Sequence, residues 1–321
     1  MTGGYERRLG FAVKVLREKL PSHDTRRWQS NPSITVSIEA LQRVLDYVAH
    51  AGIRMYRMTS DFVPYGTHPD MPQFHGQIES HAEQLRELGR IAREHDIRLS
   101  LHPSQYIVLN ALDADILRKS MVDLDAQASL LDAMEQPAEA VVVLHVGAAY
   151  GDRESARERF AVNFERLSEP ARRRLVIEND EMIYTVADCL WLNERLGVRV
   201  VFDHQHHRLN DGGMSVIDAA RAALATWPPG VVPKMHFSSP RLDAREVKRG
   251  RALVHQAPML RQHADYIDPW TFADFVGSLR DVAFDVMLEA KAKDLALLRL
   301  RSDLVRIGRE DVLRTTAESA R

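Results

Sequence analysis

Fourteen histidines stand against a single cysteine, Cys189, in a chain of 321 residues. One cysteine cannot build a thiolate cluster or a disulfide framework, so any metal held by this chain is held by imidazole and carboxylate. Many such groups close short apolar runs: His102 ends Ile97–His102, His145 closes Val141–Val146, Glu178 ends Leu175–Glu178, and Glu289 ends Phe284–Glu289. Asp203 ends Arg199–Asp203 with His206 three residues on, and His236 lies in Val232–Phe237. Taken singly, each fits a hydrogen-bonded core histidine or a carboxylate capping a turn. Gathered at one rim they do not, because clustered acids repel and buried charges without partners cost several kcal/mol. Bound cations remove that cost. With His68 and His263 on neighbouring loops, five or more histidines and three carboxylates exceed one four-coordinate site, which points to a multinuclear centre. Ions a few Å apart suit phosphodiester hydrolysis. A metal-dependent aldose–ketose isomerase is the competing enzyme class, with fewer histidines, more carboxylates, and a lysine or histidine for proton transfer.

The elements that would gather these groups are legible in the periodicity. Arg8–Val13 and Ile53–Met58 join the runs above as eight predicted strands, whose continuous apolar character suits a parallel sheet buried on both faces. Amphipathic helices are predicted between them over Ser37–His50, Gln77–His95, Asp115–Met134, Glu154–Leu167, Val186–Leu196, Val216–Thr226, Pro269–Arg280 and Ala292–Leu300. Eight strands each followed by a helix predict an α/β fold, a single-domain (β/α)8 TIM barrel over 1–321, with roughly 301–321 as a tail outside it. An open doubly wound sheet is the alternative, but no Gly-x-Gly-x-x-Gly follows the first strand. In such a barrel the strand C-termini form one mouth, where all these ligands would meet.

The composition is that of an ordinary folded protein, 45% hydrophobic and 27% charged. The longest weakly charged apolar run, Ala140–Tyr150, is about half of the ~20 residues a membrane span needs, and no apolar signal stretch follows Glu6-Arg7-Arg8. A cytoplasmic protein without membrane or obligate protein partner, and monomeric, is the expectation. A net charge of −2 argues against a general nucleic-acid coat and leaves only local basic segments. Of the two candidates, Arg172-Arg173-Arg174 reads as solvated surface, while Arg241–Arg251 falls in a long loop with phosphate-binding potential.

Several stretches match one known family in order and in position at the strand ends. They are Tyr56-Arg57-Met58-Thr59-Ser60 with Thr67-His68-Pro69, then His102-Pro103-Ser104-Gln105-Tyr106-Ile107-Val108-Leu109-Asn110, Leu144-His145, and Ile177-Glu178-Asn179-Asp180-Glu181. Phe202-Asp203-His204-Gln205-His206-His207, Lys234-Met235-His236-Phe237-Ser238-Ser239 and Glu289-Ala290-Lys291 complete them. From about Leu9 to Leu300 the chain resembles the UV damage endonucleases, relatives of endonuclease IV and of the xylose-isomerase-like barrels. The resemblance implies an enzyme that hydrolyses the phosphodiester immediately 5′ of UV photoproducts in double-stranded DNA, leaving a 3′-hydroxyl and a 5′-phosphate. An abasic-site endonuclease is the alternative within the class.

The same resemblance implies three divalent ions, manganese first and zinc or magnesium as substitutes, with no organic cofactor. His68, His102, His145 and Glu178 would surround the first, with His68, Glu178 and Lys234 taking part in catalysis. Glu178 would bridge to a second ion held by Asp203, His236 and Glu289, and His206 and His263 would hold the third. Arg261 stands where endonuclease IV has a further carboxylate, and a carboxylated Lys234 would fill that gap. Strand alternation puts Lys234 on the same face as His236. Gln105 and Tyr106 would enter the duplex where the damaged dinucleotide is extruded, the aromatic ring replacing lost stacking. Phe11, where many relatives have tyrosine, marks a first-strand DNA contact, and the asparagine that often follows is replaced around Lys14 and Val15. Pro21–Ser33 carries no clear element.

Overall fold

The computed structural model describes residues 4–250 and 252–318. Eight parallel strands close a barrel in chain order: β1 Leu9–Ala12, β2 Met55–Arg57, β3 Arg98–Leu101, β4 Val141–His145, β5 Leu175–Glu178, β6 Arg199–Asp203, β7 Lys234–Phe237 and β8 Asp285–Leu288. Each falls inside its predicted run. Closure sets β1 between β2 and β8, with Gly10 beside both Met55 and Met287. Gly10 is needed there, since a Cβ would lie 2.7 Å from Met55 Cγ.

The outer ring is α1 Ile34–His50, α2 Ala82–Glu94, α3 Ala114–Ala133, α4 Arg153–Phe164, α5 Val186–Leu196, α6 Val216–Ala225, α7 Pro269–Gly277 and α8 Lys293–Arg306. Most of these begin with a side-chain cap. Ser33, Asp113, Asp152, Ser215 and Asp268 accept from first-turn amides, and Thr185 forms a capping box with Asp188. No helix among the described residues is long and apolar enough to cross a membrane.

Strand alternation sorts the interior into layers. Val141, Val143, Val176 and Val201 pack with Trp227 as a separate apolar cluster. They share their strand faces with His145, Glu178 and Asp203, one or two steps nearer the C-terminal ends. The register then sets His145 beside Glu178, Asp203 beside His236, and His236 beside Met287. Valines thus fill the barrel on the β4–β6 side, below the polar groups that form its top.

The opposite end is closed by ions. Asp285, fully buried, accepts from Arg98 Nη1 at 2.9 Å, Arg8 Nη1 at 3.1 Å and the Tyr5 hydroxyl at 2.5 Å. The C-terminal segment predicted as a tail belongs to this closure. Helix α8 continues past Leu300 because Leu304 extends its buried stripe, and Arg314–Glu318 pairs antiparallel with Gly4–Glu6. The long loop after β7 is a ribbon: Arg245–Arg249 pairs with Ala252–Gln256, and Met259–His263 with Pro240–Arg241. Its hairpin is largely exposed, so burial imposes no alternation that the sequence could show. Pro21–Ser33 holds only a short turn at Trp28–Ser30 and is tied by buried Asp24, which accepts from the Ser33 amide and Arg26. Of the triple arginine, Arg174 is buried against Asp132 and backbone carbonyls, a structural role.

Candidate metal centre

Glu178, at the end of β5, is wholly buried and ringed by imidazoles. His236 Nδ1 lies 2.7 Å from Oε1 and His102 Nε2 3.2 Å from Oε2, with His145 Nε2 at 3.6 Å and His206 Nδ1 at 3.8 Å. Three overlapping donor sets result: His102, His145 and Glu178; Glu178, Asp203 and His206; Asp203, His236 and Glu289. The strands deliver most of them, while His206 comes from the short helix His204–Leu209, whose N-cap is Asp203 itself. Asp203 Oδ1 accepts the His206 amide at 2.7 Å, which fixes the carboxylate and the entering turn together.

The charges are set against one another. Burial drives the Glu178 carboxyl up, but His236 and His145 and the bonds from His102 and His236 outweigh it and hold it well below the usual range. Glu289 is likewise held down against burial, chiefly by Arg57 and His236. Asp203 goes the other way, raised by burial and by Glu178 and Glu289. Burial pushes His102 down to about 4. For His206 burial is overcome by Asp203, Glu178, Glu289 and Glu181, which raise it to about 9.

These residues fit divalent cations. Asp203 Oδ2, His236 Nε2 and His145 Nδ1 are buried polar atoms without a hydrogen-bond partner, a state that costs free energy unless something else is bound. His102 Nδ1 faces the Pro103 carbonyl at 3.0 Å and His206 Nδ1 the Asn179 carbonyl at 3.0 Å. A carbonyl only accepts, so each ring carries a proton on Nδ1 and turns Nε2 toward the carboxylates, where a cation that displaced any Nε2 proton would find a lone pair, the usual arrangement of a ligating histidine.

Not every expected ligand joins these sets. His263, on the ribbon, stands at the edge with Nδ1 3.8 Å from Glu289 Oε2. Lys234 is fully buried on β7 below His236, and its Nζ donates to Ser100 Oγ on β3 at 2.9 Å. His68 lies outside all three sets, on the loop after β2, where its Nδ1 accepts the Asp70 amide at 3.2 Å. It lines a cavity of about 530 Å³ beside α3, with His23, Asp61 and Asp123. Phe11 requires correction as a DNA contact. It is fully buried with its ring edge-on to Tyr56, because alternation along β1 turns it to the helix side, away from the mouth.

The loop carrying Gln105 and Tyr106 has an exposed tip and a clamped base. Tyr106 is 75% exposed. Below it, buried Asn110 donates to the Ala148 carbonyl at 2.8 Å, Asn163 to that of Leu109 at 2.8 Å, and the Val108 amide to Ser120 Oγ at 3.0 Å. Gly147 permits this clamp, having φ +112° and no Cβ to strike Asn110 Oδ1. A groove of about 630 Å³ runs from His102 and His145 past Tyr106, Tyr150 and Met182. Arg57 was quoted in the sequence motif without a role, and it is ion-paired to Glu289. Its place at the C-terminal end of β2, on the side of the barrel mouth, was the available signal.

Comparison with known proteins agrees with this geometry. The family model for UV-endonuclease UvdE matches residues 17–317. A UV DNA damage endonuclease of Bacillus velezensis is 34% identical over 82% of this chain and 78% of its own length, and one of Bacillus mycoides 30% identical over 90% and 95%. The crystal structure of SacUVDE superposes with a TM-score of 0.80 at 28% identity, covering 94% of this chain and 99% of that one. Endonuclease IV from Thermus thermophilus, at TM-score 0.58 and 15% identity over 93% of this chain and 99% of that one, shares the fold. Matched over nearly its whole length, with acids and histidines gathered at the barrel mouth, the chain belongs to the UV-endonuclease UvdE family and is an endonuclease.

Proposed function

We propose that this chain repairs DNA by hydrolysing the phosphodiester immediately 5′ of a UV photoproduct, with three divalent ions, manganese foremost, leaving a 3′-hydroxyl and a 5′-phosphate. The observation that carries the reading is the set of overlapping donor groups around Glu178 beside an exposed, firmly based Gln105–Tyr106 tip. His102, His145 and Glu178 would hold the first ion, Glu178, Asp203, His236 and Glu289 the second, and His206 with His263 the third. Bound ions supply charge neutralisation at the phosphate and a nucleophilic water at neutral pH.

The chain's own residues orient this chemistry. Arg57 holds Glu289, and Asp203 is fixed by the His206 amide. Tyr106 substitutes for the stacking lost when the damaged dinucleotide leaves the duplex, and Gln105 fills the vacated hydrogen bonds. His68 completes the first site if its loop swings in. Lys234 is the candidate for carboxylation: burial, with Arg57 and Arg98 nearby, shifts its amine well below the usual range and so favours the neutral form that adds carbon dioxide.

A duplex carrying one cyclobutane dimer tests the reading. The expected product is a nick directly 5′ of the lesion, abolished by chelator and restored by manganese, with a 3′ end that a polymerase extends. Nicking confined to an abasic duplex would instead establish the abasic-site alternative, and an intact dimer duplex with manganese present would refute the proposal.

A further inference from the structure

A second feature of the mouth lies on the β8 side, where a cavity of about 330 Å³ adjoins Glu289 and His263. Four cationic side chains line it: Arg57, Arg261, Lys291 and Lys293. Arg57 is neutralised by Glu289. The other three have no carboxylate partner among the described residues: Lys291 Nζ reaches only Gln262 Oε1 at 3.5 Å, and Arg261 Nη1 only Met182 Sδ at 3.4 Å. Cations elsewhere on this surface are commonly paired, as Arg54 is with Asp96, Arg90 with Glu87, Arg118 with Asp115 and Arg221 with Asp281.

The neighbouring acids Asp265 and Asp294 are engaged elsewhere, Asp265 with Arg245. Asp294, in the first turn of α8, is fully buried and accepts from the Leu16 and Arg17 amides and the Tyr47 hydroxyl. The N-terminal end of this 14-residue helix, with Ala292 as an N-cap lacking any side-chain cap, adds its positive dipole to the same place. Three cations without an ion-pair partner in one concavity repel one another, and a bound anion relieves that repulsion.

We propose that Arg261, Lys291 and Lys293 form a phosphate subsite that holds a backbone phosphodiester next to the one at the metal centre. The inference rests on the DNA reading above and adds to it the residues that set the strand's register. It also gives Arg261 a role: a guanidinium cannot ligate a metal, but its donor fork suits phosphate oxygens. Contacts of this kind carry no sequence information and position the duplex.

The test is fluorescence anisotropy of the full chain with a dimer-containing duplex in EDTA, at several salt concentrations, alongside nicking with manganese. Arg261→Ala, Lys291→Ala and Lys293→Ala are each expected to weaken binding roughly fivefold and to lower the slope of log affinity against log salt by about 1. Lys291→Arg should keep the wild-type slope. Arg261 and Lys291 are exposed, so unchanged thermal unfolding of those two variants is expected and separates lost contacts from lost fold. Unaltered slopes in all three alanine variants, with wild-type binding and nicking intact, would overturn this inference alone. A wild-type chain that neither binds nor nicks the duplex would overturn the DNA reading and this subsite with it.

Discussion

Replacing Glu178 by glutamine keeps the size and removes one charge at the point shared by two of the three donor sets. In the native chain each carboxylate oxygen faces two imidazoles, Oε1 those of His236 and His206 and Oε2 those of His102 and His145. Two adjoining donor sets therefore lose the same anionic group. Disturbing even an outer partner of a metal site typically costs 10–100-fold, so two sites together give about 10²–10⁴-fold in incision, or roughly 3–5 kcal/mol of transition-state stabilisation. Binding of metal-free protein to duplex DNA should change less than about threefold, since the cations proposed to contact phosphate lie away from this residue. Turnover on a single-dimer duplex, metal content by mass spectrometry, and anisotropy in EDTA read the three quantities. A variant that retains its metals and nicks within about tenfold of wild type would remove Glu178 from the centre.

Tyr106→Ala should lower incision at a bulky photoproduct more than at an abasic site, where one stacked base is already missing; equal losses on both substrates would assign Tyr106 a general role, and its exposure predicts unchanged thermal stability. Lys234 should yield a carbamate carbon signal when the metal-loaded protein is equilibrated with ¹³C-labelled carbon dioxide at neutral pH, and Lys234→Ala should lose both that signal and most of the activity. A loaded, active wild type with no such signal would exclude the modification. Asp285→Asn leaves buried Arg98 without its anion at the closed end of the barrel. It should cost about 3–5 kcal/mol in urea unfolding while folded variant nicks at the wild-type rate; a selective loss of nicking would tie the barrel floor to the chemistry.

The order of strands and helices was readable because a parallel barrel buries both strand faces and leaves continuous apolar runs, separated by amphipathic stretches with capping residues. Period-two alternation also predicted that Lys234 and His236 share a face, and the strand-end acids and histidines do meet at one mouth. Other features depend on contacts between residues far apart in sequence. Arg57 finds Glu289 only because barrel closure brings β2 and β8 to either side of β1, and Arg314–Glu318 finds Gly4–Glu6 at the closed end. Phe11 belongs to the helix side through the phase of β1, which its residue type does not reveal. His68 and the exposed ribbon after β7 follow loop geometry, where little burial constrains the pattern. Local sequence thus determined which residues reach the rim along each strand, whereas the pairing of charges across that rim was decided by closure of the barrel, since Coulomb and hydrogen-bond energies depend on distances that only the folded chain defines.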